Sequence, residues 1–230
     1  MIIFRKNFIY KTRYFKIMIK FTSSEVRDLL IAFFVISLCF ALANGGRDTN
    51  AVLTILPYIM VGVGLGFILH ELGHKFVSMK YGYWAEFKLW PQGLIFALVT
   101  SFFGFVFAAP GAVYTYANYM TDEINGKISI AGPIVNIVLA LIFLAVAVAV
   151  YPSAFPSANS VTLFIICSLG YSVNSFLAVF NLIPIGNLDG SKVLNWNFGI
   201  WIVTIAVAGI MTFASMTMGV ENLVRLIIGF

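Results

Sequence analysis

The sequence predicts an all-α polytopic membrane protein of about five to six transmembrane helices, with a re-entrant or β-hairpin segment near residues 93–115. Three observations predict it. Hydrophobic residues make up 61 % of the chain and charged residues 10 %. The mean hydropathy is +0.98. The apolar residues also gather into runs of helix length, separated by short polar breaks. Such a composition lies far from soluble averages. A chain of 230 residues holds about six spans at roughly 20 residues each and leaves no room for an added soluble domain. The organisation expected is a basic N-terminal segment, 1–24, followed by a single transmembrane domain, 25–230.

Arg5, Lys6, Lys11, Arg13, Lys16 and Lys20 alternate with Phe, Tyr and Ile in the first segment, and no cleavage-site pattern follows. It therefore reads as an orientation signal that stays in the cytoplasm, not as a removed signal peptide. The first span covers about 26–44 and ends at Asn44-Gly45-Gly46. The second runs from about 51 to Lys80-Tyr81-Gly82. After a short segment with Lys88, the Phe-rich stretch Gly93 to Ala109 reads either as a full span or as a re-entrant hairpin. Clearer spans follow at about 128–151, 160–181 and 198–219, two of them separated by a loop with Pro152 and Pro156. If the N-terminus is cytoplasmic, the second span returns to that side, and Lys75, Lys80 and Lys88 follow there.

Partners follow from the same composition. The sequence pI of 9.2 does not indicate nucleic acid, because the basic residues flank spans instead of forming a basic domain. Cys39 and Cys167 lie inside apolar runs and read as small core residues. The expected partners are the lipid bilayer and, if the chain acts on anything, another membrane protein.

The chemistry concentrates in His70-Glu71-Leu72-Gly73-His74, which holds the only two histidines in the chain. The spacing H-E-x-x-H places two imidazoles at i and i+4 on one helix face, so both can bind one metal ion. Glu71 then lies beside the metal's open position, where it can act as a general base. On a solvated helix the pattern is a common accident. On an apolar one, ionisable groups are costly enough to imply function.

A catalytic zinc site usually has three protein ligands and a water. With no third histidine, a carboxylate is required. Glu25 and Asp28 border the first span, Asp48, Glu86, Asp122 and Glu123 fall in loops, and Glu221 lies past the last span. Asp189 remains, in Asn181-Leu182-Ile183-Pro184-Ile185-Gly186-Asn187-Leu188-Asp189-Gly190, where proline and glycines break the helix. An ordinary turn is the competing reading of that stretch. If Asp189 is the ligand, 93–110 must be re-entrant, since a full crossing would put Asp189 on the opposite face from the histidines.

Three ordered motifs between about 55 and 195 resemble the site-2 protease family of intramembrane zinc metalloproteases: His70 to His74, Ala131-Gly132-Pro133-Ile134-Val135-Asn136, and Asn181 to Gly190. The resemblance implies one zinc ion held by His70, His74 and Asp189, with Glu71 as base and Asn136 near the site. It implies hydrolysis of peptide bonds in or near transmembrane segments of membrane proteins; the positive-inside reading above puts the site toward the cytoplasmic side of the cell membrane. Pro110-Gly111-Ala112 resembles part of the family's membrane-associated hairpin. Ser191 departs from the second glycine that many members place after Asp-Gly, and no PDZ-like or CBS-like module is present. Asn136 and Asn181 are candidate oxyanion or substrate-positioning amides, with interhelical hydrogen bonding as the equal alternative. A divalent-metal transporter using the same ligands is the alternative function, and a catalytically silent scaffold a third.

Overall fold

Nearly every long apolar run becomes a helix, because only a helix satisfies its own backbone polar groups where water is absent. The computed structural model describes residues 20–107, 110–151 and 157–229. The expectations for 1–19 and for Pro152 and Pro156 lie outside the described residues. In chain order the elements are α1 (Ser23–Gly45), α2 (Thr49–Ile59), a π-helical turn (Met60–Gly64), α3 (Leu65–Lys80), β1 (Trp84–Leu89), α4 (Pro91–Ser101), β2 (Gly111–Tyr116), α5 (Asp122–Ser129), α6 (Ala131–Ala149), α7 (Ala158–Asn181), α8 (Asp189–Trp196) and α9 (Phe198–Ile228). Among the described residues, five stretches are long and apolar enough to cross a membrane: Ser23–Gly45, Thr49–Lys80, Asp122–Ala149, Ala158–Asn181 and Phe198–Ile228.

Their N-termini carry side-chain caps that take up orphan amides. Thr22 accepts from Glu25 N–H, Asp48 from Asn50 and Ala51, and Thr121 from Ile124. Ser157 and Ser160 cap one another's backbone amides at the start of α7. In α2, Pro57 withholds the N–H that would bond to Leu53, and the π-helical turn begins three residues later.

The described part of the Phe-rich stretch, 93–107, does not form a full span. Its helix, α4, has 11 residues, which at 1.5 Å per residue is about 16 Å, half the ~30 Å hydrocarbon core. The strands sit further out than expected for a hairpin near 93–115. They occupy Trp84–Leu89 and Gly111–Tyr116, pair antiparallel from Trp84↔Tyr116 to Leu89↔Gly111, and enclose α4 between them. The reason is that 84–89 alternates side chains between core and surface, with Ala85 and Phe87 inside, a period that a reading focused on apolar length passes over.

One edge of this two-stranded sheet is closed by carboxylates. Phe87 N–H donates to Glu25 Oε1 at 3.0 Å and Leu89 N–H to Asp28 Oδ2 at 3.3 Å. Residues 85, 87 and 89 therefore direct their backbone groups away from β2. By the alternation of antiparallel pairs, their partners Thr115, Val113 and Gly111 direct theirs away from β1, along the other edge.

Glu25 also accepts from Lys75 Nζ, and both side chains are fully enclosed. The Lys75 ammonium stands 4.4 Å from the Phe21 ring centroid and 5.7 Å from that of Trp84. Lys75 is thus not one of the surface cations that orient the chain. It is the buried partner that holds α1, α3 and β1 together.

Breaking such a pair from one side leaves a buried charge uncompensated, at about 3–5 kcal/mol. Glu25→Gln should lower the thermal unfolding midpoint in detergent by several degrees, and adding Lys75→Met should recover most of the loss. An unchanged midpoint in the single variant would show that the pair contributes nothing.

Candidate metal centre

The centre is assembled from two separate elements. His70 and His74 are one turn apart on α3, and Asp189 is the first residue of α8. Because α4 does not cross, the break after α7 returns to the histidine end of the bundle. Asp189 Oδ2 lies 3.1 Å from His74 Nε2 and 3.5 Å from His70 Nε2, and the two Nε2 atoms are 3.0 Å apart. All three residues are buried.

The ring tautomers follow from their neighbours. His74 Nδ1 meets the Ile128 carbonyl at 2.8 Å, an acceptor in the last turn of α5. His70 Nδ1 meets Asn136 Oδ1 at 2.6 Å. The Asn136 amide is oriented by the Gly66 carbonyl, which can only accept, so its Oδ1 is the atom turned to His70. Both Nδ1 atoms therefore carry the proton in the neutral rings. The atoms facing the centre are then three acceptors with no hydrogen between them, an arrangement that a shared cation relieves.

Two further observations fit a metal. Zinc bonds of about 2.0–2.2 Å at tetrahedral angles place ligand atoms about 3.4 Å apart, close to the spacing of these three. Glu71 Oε2 is buried with no hydrogen-bond partner among the described residues, and the carboxylate lies beside His70 and Asp189. Gly132 supplies the space. A Cβ built there would collide with both Nε2 atoms.

Asp189 divides its two oxygens. Oδ2 faces the histidines, and Oδ1 faces the Lys192 ammonium at 3.7 Å. Asp189 is thus poised to be a ligand.

The chain is 40 % identical over 198 residues to MJ0611 of Methanocaldococcus jannaschii, named a candidate zinc metalloprotease, covering 84 % of this chain and 96 % of that one. The chain belongs to the site-2 protease-like family of zinc metalloproteases. It is also 32 % identical to YwhC of Bacillus subtilis, likewise named a candidate zinc metalloprotease, over 62 % of this chain and 69 % of that one. A third relative, the zinc metalloprotease MJ0392 of M. jannaschii, is 27 % identical over 80 % of this chain and 44 % of its own. No family model matches the chain, and no solved structure does. As a zinc metalloprotease of this family, the chain takes zinc as its cofactor. Among the described residues only this cluster has a metal-ligand arrangement.

The two candidate amides fare differently. Asn136 is fully buried, with Oδ1 on His70 and Nδ2 donating to Gly66 O and Asn174 Oδ1, so no proton is left for an oxyanion. Asn181 donates to Leu177 O in its own helix. Sequence reasoning missed Asn174, although an amide on an apolar span is the same signal that marked Asn136.

Gly132→Ala should abolish stoichiometric zinc binding while leaving the helical circular dichroism unchanged. Asp189→Ala should lose most of the bound zinc by elemental analysis. Full metal retention in either variant would contradict this donor set.

Proposed function

We propose that this chain hydrolyses peptide bonds of membrane-protein substrates at the membrane, with one zinc ion held by His70, His74 and Asp189 and with Glu71 as general base. The observation that carries the reading is the unpartnered Glu71 Oε2, buried beside three converging acceptors. Zinc bound there supplies a Lewis acid that polarises a carbonyl and lowers the pKa of water to about 7. Glu71 takes the proton from the attacking water and returns it to the leaving amine, a role worth about 10²–10⁴-fold in rate.

A helical peptide bond is shielded, so the substrate must present an extended segment. The unpaired edge of β2 suits it. Among the described residues, the outward backbone groups of Gly111, Val113 and Thr115 have no strand partner, and the Val113 amide lies beside the Glu71 carboxylate. An unwound segment adding to that edge would bring a peptide bond to the base. The motif end of the bundle faces the cytoplasm of a plasma-membrane protein with a cytoplasmic N-terminus; Lys80 and Lys88 on that side support it.

Cleavage of a single-span model substrate by purified protein in detergent tests the chemistry. Wild type should cleave and stop when zinc is chelated. Glu71→Gln should lose about 10²-fold or more while keeping its zinc. Equal cleavage by both would remove Glu71 as base. Val113→Pro deletes an outward N–H at a position where an edge strand tolerates proline. It should cut cleavage by about tenfold with zinc retained, and unchanged cleavage would exclude strand addition at this edge.

A further inference from the structure

Behind the centre runs a closed chain of amides whose far end is not near the metal. Asn174, on α7, is fully buried. Its Nδ2 donates to Gly62 O at 3.0 Å and to Gly170 O at 2.8 Å. Both carbonyls can only accept, so the amide has one orientation and its Oδ1 is turned to Asn136. That oxygen accepts from Asn136 Nδ2 at 2.9 Å. Asn136 then presents Oδ1 to His70 Nδ1. Every donor and acceptor direction in the chain is set by the step before it.

The helices are shaped to admit this chain. Gly62 lies in the π-helical turn, whose i→i+5 ladder displaces carbonyls from the regular α pattern. A Cβ on Gly62 would sit 3.0 Å from Gly170 Cα, so α7 and that turn meet backbone to backbone. A Cβ on Gly66 would run into the Asn174 amide itself. Three glycines and a distorted turn thus converge on one asparagine that touches neither the metal ligands nor Glu71.

We propose that Asn174 is a positioning residue for the metal centre, acting through Asn136 as a two-amide relay anchored on the π-helical turn. The relay assigns the His70 proton to Nδ1 and aims Nε2 at the centre. Partners of this kind one step behind a ligand typically alter metal affinity by 10–100-fold. The inference rests on His70 being a zinc ligand.

Zinc dissociation constants, measured by chelator competition on folded protein in detergent, test it in a double-mutant cycle. Asn136→Leu should weaken zinc by about 10–100-fold and Asn174→Leu by about tenfold. The double variant should bind no more than about twofold worse than Asn136→Leu alone, because both act through one ring. Asn174→Asp is the same size, and in its protonated form the single O–H donates to one of the two facing carbonyls. It keeps the acceptor that Asn136 needs and should restore near-wild-type affinity. If Asn174→Leu does not fold, Asn174→Ser, whose hydroxyl can reach back to Gly170 O but not to Asn136, takes its place.

Wild-type zinc affinity in the Asn174 variant, or losses that multiply in the double, would overturn the relay and leave Asn174 a packing residue. His70→Ala separates the two failures. If it too binds zinc like wild type, the ligand assignment is wrong; if it loses zinc while Asn174→Leu does not, only the relay is.

Discussion

The arrangement depends on one topological constraint: the segment between β1 and β2 must not cross the membrane. Asp189 and the two histidines come from opposite ends of the motif region, and their meeting requires an even number of crossings between them. The spans α5–α6 and α7 supply two. A third crossing at 93–109 would carry the α7–α8 break to the far side, where no rearrangement of side chains could bring its carboxylate back. The 11 residues of α4 are too few to span, and the chain returns through β2 to the level it left at β1. The contact of Asp189 Oδ2 with both Nε2 atoms is the product of that parity.

Within that frame, buried polar groups do most of the specifying. Apolar helices slide and rotate against one another at small cost, because lipid tails are as apolar as leucine. Hydrogen bonds are directional and cannot. His74 is tied to the Ile128 carbonyl, His70 to Asn136, and Asn136 through Asn174 to the π-helical turn. Together they lock α3, α6 and α7 in rotation as well as in height. The Lys75–Glu25 pair does the same for α1 and β1. Each chain of ties ends on a backbone group, the carbonyls of Ile128 and Gly62 and the amide of Phe87, so the side chains read helix position and not merely helix proximity.

The sequence made the spans legible because membrane crossing imposes length and apolarity together, two features read directly from composition. The centre was legible because H-E-x-x-H is a local pattern, and Asp189 because elimination among nine acidic residues left one on a broken helix. What stayed hidden was pairwise. Glu25 and Asp28 border a span, where carboxylates are ordinary, and nothing in their spacing reveals that they cap a strand some sixty residues away. Lys75 looks like an interfacial cation until Glu25 is set against it. Asn174 belongs to no motif, and its place exists only because Gly66 leaves room for its amide and Gly62 lets the π-helical turn approach α7 at Gly170.

The two edges of the sheet show how fold and chemistry are joined. A lone two-stranded ribbon is marginal in stability and sticky at both edges. Here the β1 edge is closed by two carboxylates from α1, and β1 is further tied to α3 through Glu25 and Lys75. Only the β2 edge remains for pairing, and Ser78 on α3 holds it at Thr115 by a 2.8 Å hydroxyl contact. Two residues along, Val113 faces Glu71. Closing one edge and pinning the other to the histidine helix makes the open strand and Glu71 a single unit. On the proposed reading, a segment that adds to β2 in either direction would pass the centre at Val113, so the edge left open would also set where a bond is cut.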